Sequence, residues 1–322
     1  MYVIIKMITV AYINFWKDQE NDTYFTDFIK HNIGQVKLVN YNNNPDILIT
    51  SVFGDINIIK NIKSKCKIFY YGENLNRYPP YNNEKLLIDT FDLIIGFKDT
   101  NIEKKQIRFP LWLMYYKFYN YTPDYNLINY IENNYKENKS KTKTLFATLV
   151  ARHDREGQRA KICNEIDTYN TTNTTNTTNT TNTTINYKIM YPGLFRNNIG
   201  PGNNIGPRTN DKINYISQSI YNICPENSAF EGYFTEKIFQ AFEAGTIPLY
   251  WAIDLPEKGL INFNKYCFCN VNNFNELKEQ INKAMTNTKY YLEGNVFTDE
   301  ASYIISSYYN TLISNIKIKL KL

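Results

Sequence analysis

The sequence predicts an α/β protein made of two parallel-sheet domains, and three observations carry that expectation. Short apolar runs bounded by turn residues recur along the chain, the pattern of strands buried on both faces of a parallel sheet. Stretches whose apolar residues recur with helical spacing lie between several of these runs, and such alternation marks an α/β fold. A polar stretch rich in Asn and Lys, residues 124–143, divides the alternation into two series and suits a linker.

In the first series, residues 8–15 read as a strand, with Val10-Ala-Tyr-Ile-Asn-Phe15 as its buried part. A helix is expected over 23–32, and strands over 36–39, 46–52, 67–71 and 92–96. Arg108-Phe-Pro-Leu-Trp112 closes the half. The second series opens with a strand over 144–150 and a helix over about 155–166. Residues 170–184 are a strict Asn-Thr-Thr repeat with no apolar side chain to bury, so a disordered surface loop is expected there. Residues 193–207 are loop-like, with Ile-Gly-Pro occurring twice. A helix follows over 211–219, a strand over 219–224, a helix over 235–244 and a strand over 246–251. Apolar spacing predicts two more helices, over 274–286 and 299–315. Two α/β series joined by a polar linker imply two Rossmann-like domains facing a central cleft, 1–140 and 141–322, with the last helix able to pack back on the first domain.

Composition narrows the function. A chain of 322 residues with 43% hydrophobic content can bury two cores. The formal charge is +5, but Lys and Arg are scattered apart from a short tail of Lys317, Lys319 and Lys321. No basic face of the nucleic-acid-binding kind is evident, and a nucleoside diphosphate satisfies so mild a charge as well as DNA does. No run of about 18 apolar residues appears, so no transmembrane segment is expected. The apolar start is interrupted by Lys6 and lacks a small-residue cleavage site, which favours a soluble, cytoplasmic protein. The five cysteines include no Cys-x-x-Cys pair. Cys267 and Cys269 share one face of an expected strand without a nearby His, so structural thiols are favoured over a zinc site. Abundant Asn, Ile, Lys and Tyr point to an A/T-rich genome, bacterial or viral. Replication slippage accounts for the Asn-Thr-Thr repeat, whose triplets would go unglycosylated in the cytoplasm.

The densest group of chemically capable residues is Cys224-Pro-Glu-Asn227, then Tyr233-Phe-Thr-Glu-Lys237, then Phe242-Glu-Ala-Gly-Thr-Ile-Pro-Leu-Tyr-Trp251. Thr235 is placed as an N-cap ahead of Glu236 and Lys237. A helix start of that kind offers free N–H groups to a phosphate, and Lys237 adds a point charge. On spacing alone, an ordinary capped helix start is an equally good reading.

The string Tyr-Phe-Thr-Glu-Lys-Ile238 resembles the donor-binding signature of the α-1,3/4-fucosyltransferase family, glycosyltransferase family 10. Glu226-Asn227 upstream and Thr-Ile-Pro-Leu-Tyr-Trp-Ala downstream resemble its flanks, with Ala252 where the family usually has Gly. Val10 to Trp16, residues 46–54, Phe69-Tyr-Tyr-Gly-Glu-Asn74 and Phe91-Asp-Leu-Ile-Ile-Gly-Phe97 resemble further family segments in the same order, most closely those of the soluble bacterial-type enzymes.

The resemblance implies a GT-B architecture, GDP-fucose as donor and inversion at the anomeric carbon. Inverting transfer needs a base for the acceptor hydroxyl, and Glu73 matches the family's proposed one. Without the resemblance, Gly-Glu-Asn reads as turn chemistry. Arg159 matches a phosphate-contacting arginine, suited to bidentate binding of a diphosphate, with Arg152 and Arg155 as competing choices. His153 stands where the family commonly has Asn. Asn227, Tyr233, Glu236 and Lys237 match positions around the nucleotide and the fucose, and Glu236 could also stabilise an oxocarbenium-like transition state. Gly193, Arg196 and Asn197 resemble a loop near the nucleotide. No Asp-x-Asp stands in a metal-binding setting, so neither a catalytic metal nor a cofactor is expected beyond the donor substrate.

The leading reading is transfer of fucose to a hydroxyl of an oligosaccharide or glycoconjugate acceptor containing N-acetylglucosamine or glucose. A GT-B transferase using another nucleotide sugar and a catalytically inactive sugar-binding relative are the alternatives. The presence of Glu73, Arg159, Glu236 and Lys237 argues against the second. An adhesin built on the repeat fits poorly with two α/β halves.

Overall fold

The structure is a computed structural model that describes residues 7–16, 24–124, 126–173, 186–200, 205–206, 210–254 and 257–322. The chain divides into two compact units. Met1–Leu127, Phe230–Phe234 and Ser302–Leu322 form the first, and Ile128–Ala229 with Thr235–Ala301 the second.

The first unit is built on a parallel sheet of six strands: β1 (Ile8–Ile13), β2 (Val36–Leu38), β3 (Ile47–Thr50), β4 (Cys66–Tyr70), β5 (Leu93–Gly96) and β6 (Gln106–Arg108). Their spatial order is β2-β1-β3-β4-β5-β6. Val10 of β1 pairs with Leu38 on one side and Ile47 on the other, and Thr50 lies opposite Phe69. β3 and β5 are buried along their whole length, as their unbroken apolar runs require. Helices α1 (Tyr24–Asn32), α2 (Ile56–Asn61), α3 (Glu84–Thr90) and α4 (Leu111–Tyr115) follow β1, β3, β4 and β6.

The second unit contains α5 (Leu127–Lys139), β7 (Leu145–Thr148), α6 (Gln158–Asn173), β8 (Asn186–Met190), α7 (Asn210–Ile216) and β9 (Ser219–Ile223). It continues through α8 (Lys237–Glu243), β10 (Ile247–Tyr250), β11 (Cys267–Phe268), α9 (Phe274–Thr286) and α10 (Thr288–Leu292). All five strands are parallel, in the order β11-β10-β9-β7-β8. Both units therefore share one winding, in which the first strand lies between the second and the third. The strand order reverses between β1 and β3 in one sheet and between β7 and β9 in the other. Open α/β sheets take their ligands beyond the carboxyl ends of the strands at such a reversal.

Three expectations need correction. Residues 124–143 are not a plain linker, because Leu127, Ile131 and Tyr135 recur at helical spacing, all buried, and make α5 an amphipathic helix. Its end lies so close to the turn after α8 that a Cβ on Gly245 would stand 2.2 Å from the Lys139 nitrogen. Gly245 also has a φ of +63°, so glycine is required there twice over. Second, α6 starts at Gln158 rather than near residue 155, since Gly157 ahead of it has a φ of +82°. The Asp154 carboxylate accepts the Ala160 N–H at 2.8 Å as that helix opens. Third, the helix runs on through residues 170–173, the first part of the repeat expected as a loop. The Thr171 hydroxyl folds back to donate to the Thr168 carbonyl at 2.9 Å. Residues 174–184 of the repeat lie outside the described residues.

The division into 1–140 and 141–322 also differs from the contacts. The first unit gives up residues 128–140, which follow α5 into the second, and recovers the chain's last helix, α11 (Ala301–Leu320). Ile305, Tyr309, Leu312 and Ile316 make one buried stripe along α11, and the Tyr309 hydroxyl donates to the Phe118 carbonyl at 3.1 Å. Among the described residues, no helix is long and apolar enough to cross a membrane.

Candidate functional site

In the second unit, the reversal of strand order opens into a recess of about 780 Å³ including its mouth, within the range of small-molecule sites. Its walls are residues 149–153 beyond β7 and residues 222–225 with Asn227 at the end of β9, joined by Arg159, Lys212, Glu236 and Lys237. Four of these side chains are cationic (Arg152, Arg159, Lys212 and Lys237) and one is a carboxylate (Glu236). Such a balance around a concave wall suits an anion.

The wall is held by a buried carboxylate that does not itself line it. Glu226 has no exposed side-chain surface, and four donors converge on it. They are the Thr235 N–H at 2.8 Å, the Thr235 hydroxyl at 2.7 Å, the Lys237 ammonium at 2.9 Å and the Tyr250 hydroxyl at 3.1 Å. This corrects the role expected of Thr235. The N-cap of α8 is Glu236, without a side-chain cap bond, while the Thr235 hydroxyl donates to Glu226 and its oxygen, which a cap would offer to a backbone N–H, accepts the Lys237 ammonium at 2.6 Å. A sequence-derived cap gave way to a buried charge that needs every donor within reach.

The electrostatics follow from that arrangement. Burial disfavours the charge on Lys237, but Glu226 and Glu236 beside it outweigh burial and hold its pKa above the usual lysine value. Burial likewise opposes ionisation of Glu236, yet Lys237 and Lys212 hold its carboxyl below the ordinary range. Both residues are therefore charged at neutral pH. Burial pushes the Cys224 thiol up, so it stays protonated.

The structure also separates the three candidate arginines. Arg152 is exposed at the wall, and Arg155 is exposed and absent from it. Arg159 is 6% exposed, and its guanidinium donates to the His153 carbonyl and to the Asn227 side-chain oxygen. That pair ties the opening of α6 to the loop after β9. Glu156 strengthens the tie by accepting the Ser228 hydroxyl at 3.0 Å and the Ala229 N–H at 3.1 Å.

Arg159, Asn227, Glu236 and Lys237 are thus brought together. Gly193 stands behind the wall, where a Cβ would lie 2.2 Å from the Ala151 carbonyl oxygen. Arg196 turns from the wall to α6, donating to the Asn164 side chain at 3.0 Å. Asn197 spans its own turn, donating to the Gly193 carbonyl at 3.0 Å. Two expected site residues lie in the first unit instead. Tyr233 is 4% exposed, with its ring 4.7 Å from that of Phe97. Glu73 is partly exposed just beyond β4, between Gly72, which packs against the Trp16 indole, and Asn74, whose side chain accepts the Asn76 N–H at 2.9 Å. Lys212 is the wall residue that the sequence did not reveal, since Asn-Asp-Lys-Ile reads as an ordinary helix start.

Residues 10–115 match the model of the alpha-(1,3)-fucosyltransferase FucT N-terminal domain. The chain is 25% identical over 288 residues to the alpha-(1,3)-fucosyltransferase FucT of Helicobacter pylori, covering 85% of this chain and 56% of that protein. It therefore spans a little over half the length of the curated relative it matches. A crystal structure of an alpha1,3-fucosyltransferase superposes on the whole chain with a TM-score of 0.71, at 21% identity and 92% coverage of its own length. One with GDP-fucose gives 0.65, at 20% identity, with 100% of this chain and 93% of the other covered. A UDP-forming trehalose-phosphate synthase of Burkholderia xenovorans gives 0.51, at 10% identity and covering 95% and 80%. The two-sheet α/β architecture is the GT-B fold of these glycosyltransferases. A matching N-terminal domain over residues 10–115, a curated relative and a whole-chain structural likeness thus agree in making the chain similar to α-1,3-fucosyltransferases, with their GT-B fold.

Proposed function

We propose that this protein is an inverting fucosyltransferase that moves fucose from GDP-fucose to a hydroxyl, O3 of N-acetylglucosamine or glucose, in an oligosaccharide or glycoconjugate. The observation that carries the reading is the cationic recess at the β7/β9 reversal, where Arg159 and Lys237 are held in position by Asn227 and Glu226. A leaving nucleoside diphosphate gathers negative charge as the sugar departs, and preset cations stabilise that charge without reorganising.

In this reading, Glu73 takes the proton of the acceptor hydroxyl as its oxygen attacks the anomeric carbon. The bond from that carbon to the diphosphate oxygen breaks, and its electron pair leaves with GDP. Glu236, ionised beside Lys237, faces the positive charge that develops on the sugar ring. The cations of the wall supply the charge that a metal would otherwise bring. Five free, buried cysteines favour a reducing, cytoplasmic setting. The test is a transfer assay with GDP-fucose, GDP-mannose and UDP-sugars against a panel of N-acetylglucosamine- and glucose-containing acceptors. Product with GDP-fucose alone supports the reading; turnover of another donor in preference to it overturns it.

A further inference from the structure

We propose that Lys212 is a third cationic contact for the diphosphate of the donor nucleotide. Lys212 is 7% exposed, lies on α7 and lines the recess. Its ammonium donates to the side-chain oxygen of Gln240 on α8, a neutral partner. The other two inward-facing cations of the recess are better supplied: Lys237 bonds to Glu226, and Arg159 donates to a carbonyl and an amide oxygen. A lysine taken out of water with only an amide acceptor is costly to keep charged, and a phosphate oxygen beside it removes that cost.

The charges around Lys212 agree with this. Glu236 favours its protonated form, Lys237 and Arg159 oppose it, and the protonated Cys224 adds little. On its own helix, Asp211 is exposed. Burial dominates and pulls Lys212 down to about 8. Below that value it is a cation facing the recess; just above it, binding of an anion recharges it by taking up a proton. The competing role is structural, a strut between α7 and α8. The two differ in what they respond to, because a strut has no reason to distinguish a phosphorylated ligand from its bare nucleoside.

The inference rests on the donor reading for the base and not for the phosphates, so titration calorimetry uses GDP, UDP, guanosine and inorganic pyrophosphate. Lys212→Met is expected to weaken GDP and pyrophosphate by about 10- to 100-fold, the loss of one charged hydrogen bond, while guanosine changes by less than about 2-fold. Lys212→Arg, which keeps the charge, is expected to retain most of the GDP-to-guanosine ratio. In buffers of different ionisation enthalpy at about pH 8, wild type is expected to take up about half a proton per GDP, and Lys212→Met none. A terminal phosphate, with a second pKa of about 6, is already ionised there and contributes nothing. An unchanged GDP-to-guanosine ratio in Lys212→Met, or proton uptake that persists in it, overturns the assignment. If pyrophosphate binding depends on Lys212 but wild type shows no preference for GDP over UDP, the donor reading fails and this one stands.

Discussion

Replacing Glu226 by Gln keeps the shape of the side chain and removes what the second unit uses it for. Its two oxygens accept four hydrogen bonds with no exposed side-chain surface, two at each oxygen. An amide presents one oxygen and one NH2, so whichever way it turns, either the Thr235 N–H or the Lys237 ammonium, neither of which can accept, meets another donor. Lys237 also loses its closest counter-charge while it remains mostly buried. Breaking a buried ion pair from one side costs about 3–5 kcal/mol, since an uncompensated charge is left behind. For a unit of roughly 150–250 residues, at about 2–4 °C per kcal/mol, that is a fall in Tm of about 6–20 °C. Calorimetric melting of wild type, Glu226→Gln, Lys237→Met and the double variant measures it. The double variant is expected to be less destabilised than the two single changes added together, because it leaves no orphaned ammonium. A single-variant loss below about 1 kcal/mol, or strict additivity, refutes the claim that Glu226 organises this wall.

Three other outcomes follow from the same geometry. Glu73→Gln is expected to lower kcat by about 10²- to 10⁴-fold and leave the Kd for GDP unchanged, as removal of a general base requires; a matching loss of GDP affinity would move Glu73 to the donor side. Gly193→Ala drives a methyl into the Ala151 carbonyl, 2.2 Å from its ideal position, and is expected to weaken GDP binding by about 10-fold through displacement of the wall; a normal titration would show that the wall does not depend on that contact. The third concerns alkaline stability. Burial pulls Lys143, Lys212 and Lys265 of the second unit from 10.5 down to about 8. Between those values the unfolded chain holds more protons than the folded one, so stability rises with pH across the lower part of that window. The buried thiols of Cys163, Cys224 and Cys269, raised by burial, offset part of this rise once unfolded cysteines ionise near pH 8.5–9, and buried tyrosines such as Tyr221 and Tyr191 reverse the trend once unfolded tyrosines ionise near pH 10. The urea midpoint of the second unit is therefore expected to be higher at about pH 9.5 than at about pH 7.5, and a flat or falling midpoint contradicts the assignment.

Much of the architecture was legible because apolar runs such as 47–50 and 93–96 have one good home, a strand covered on both faces. The segment 233–238 led to the recess for the same kind of reason, since it opens a helix that follows a strand end. Its internal roles were not legible. Thr235 reads as a cap because nothing local reveals that its hydroxyl is drawn into the network around Glu226, nine residues earlier, donating to that carboxylate and accepting the Lys237 ammonium. Tyr233 stands three residues before Glu236, yet its ring packs against Phe97, a contact 136 residues away in sequence. The helix within 124–143 was hidden by its polar residues, although Leu127, Ile131 and Tyr135 carry the spacing that betrays it. β8 was missed because five residues between a repeat and a glycine loop offer little periodicity. Lys212 gave no signal at all: its burial is decided by the packing of α7 against α8, and a lysine at the start of a helix reads as surface.

The most direct test of the central claim is a crystal structure of the chain with GDP. The diphosphate is expected in the recess beyond β7 and β9, within hydrogen-bonding distance, about 2.7–3.2 Å, of the Arg159 guanidinium and the Lys237 ammonium. GDP bound elsewhere, or seated with its phosphates turned away from both side chains, would contradict it.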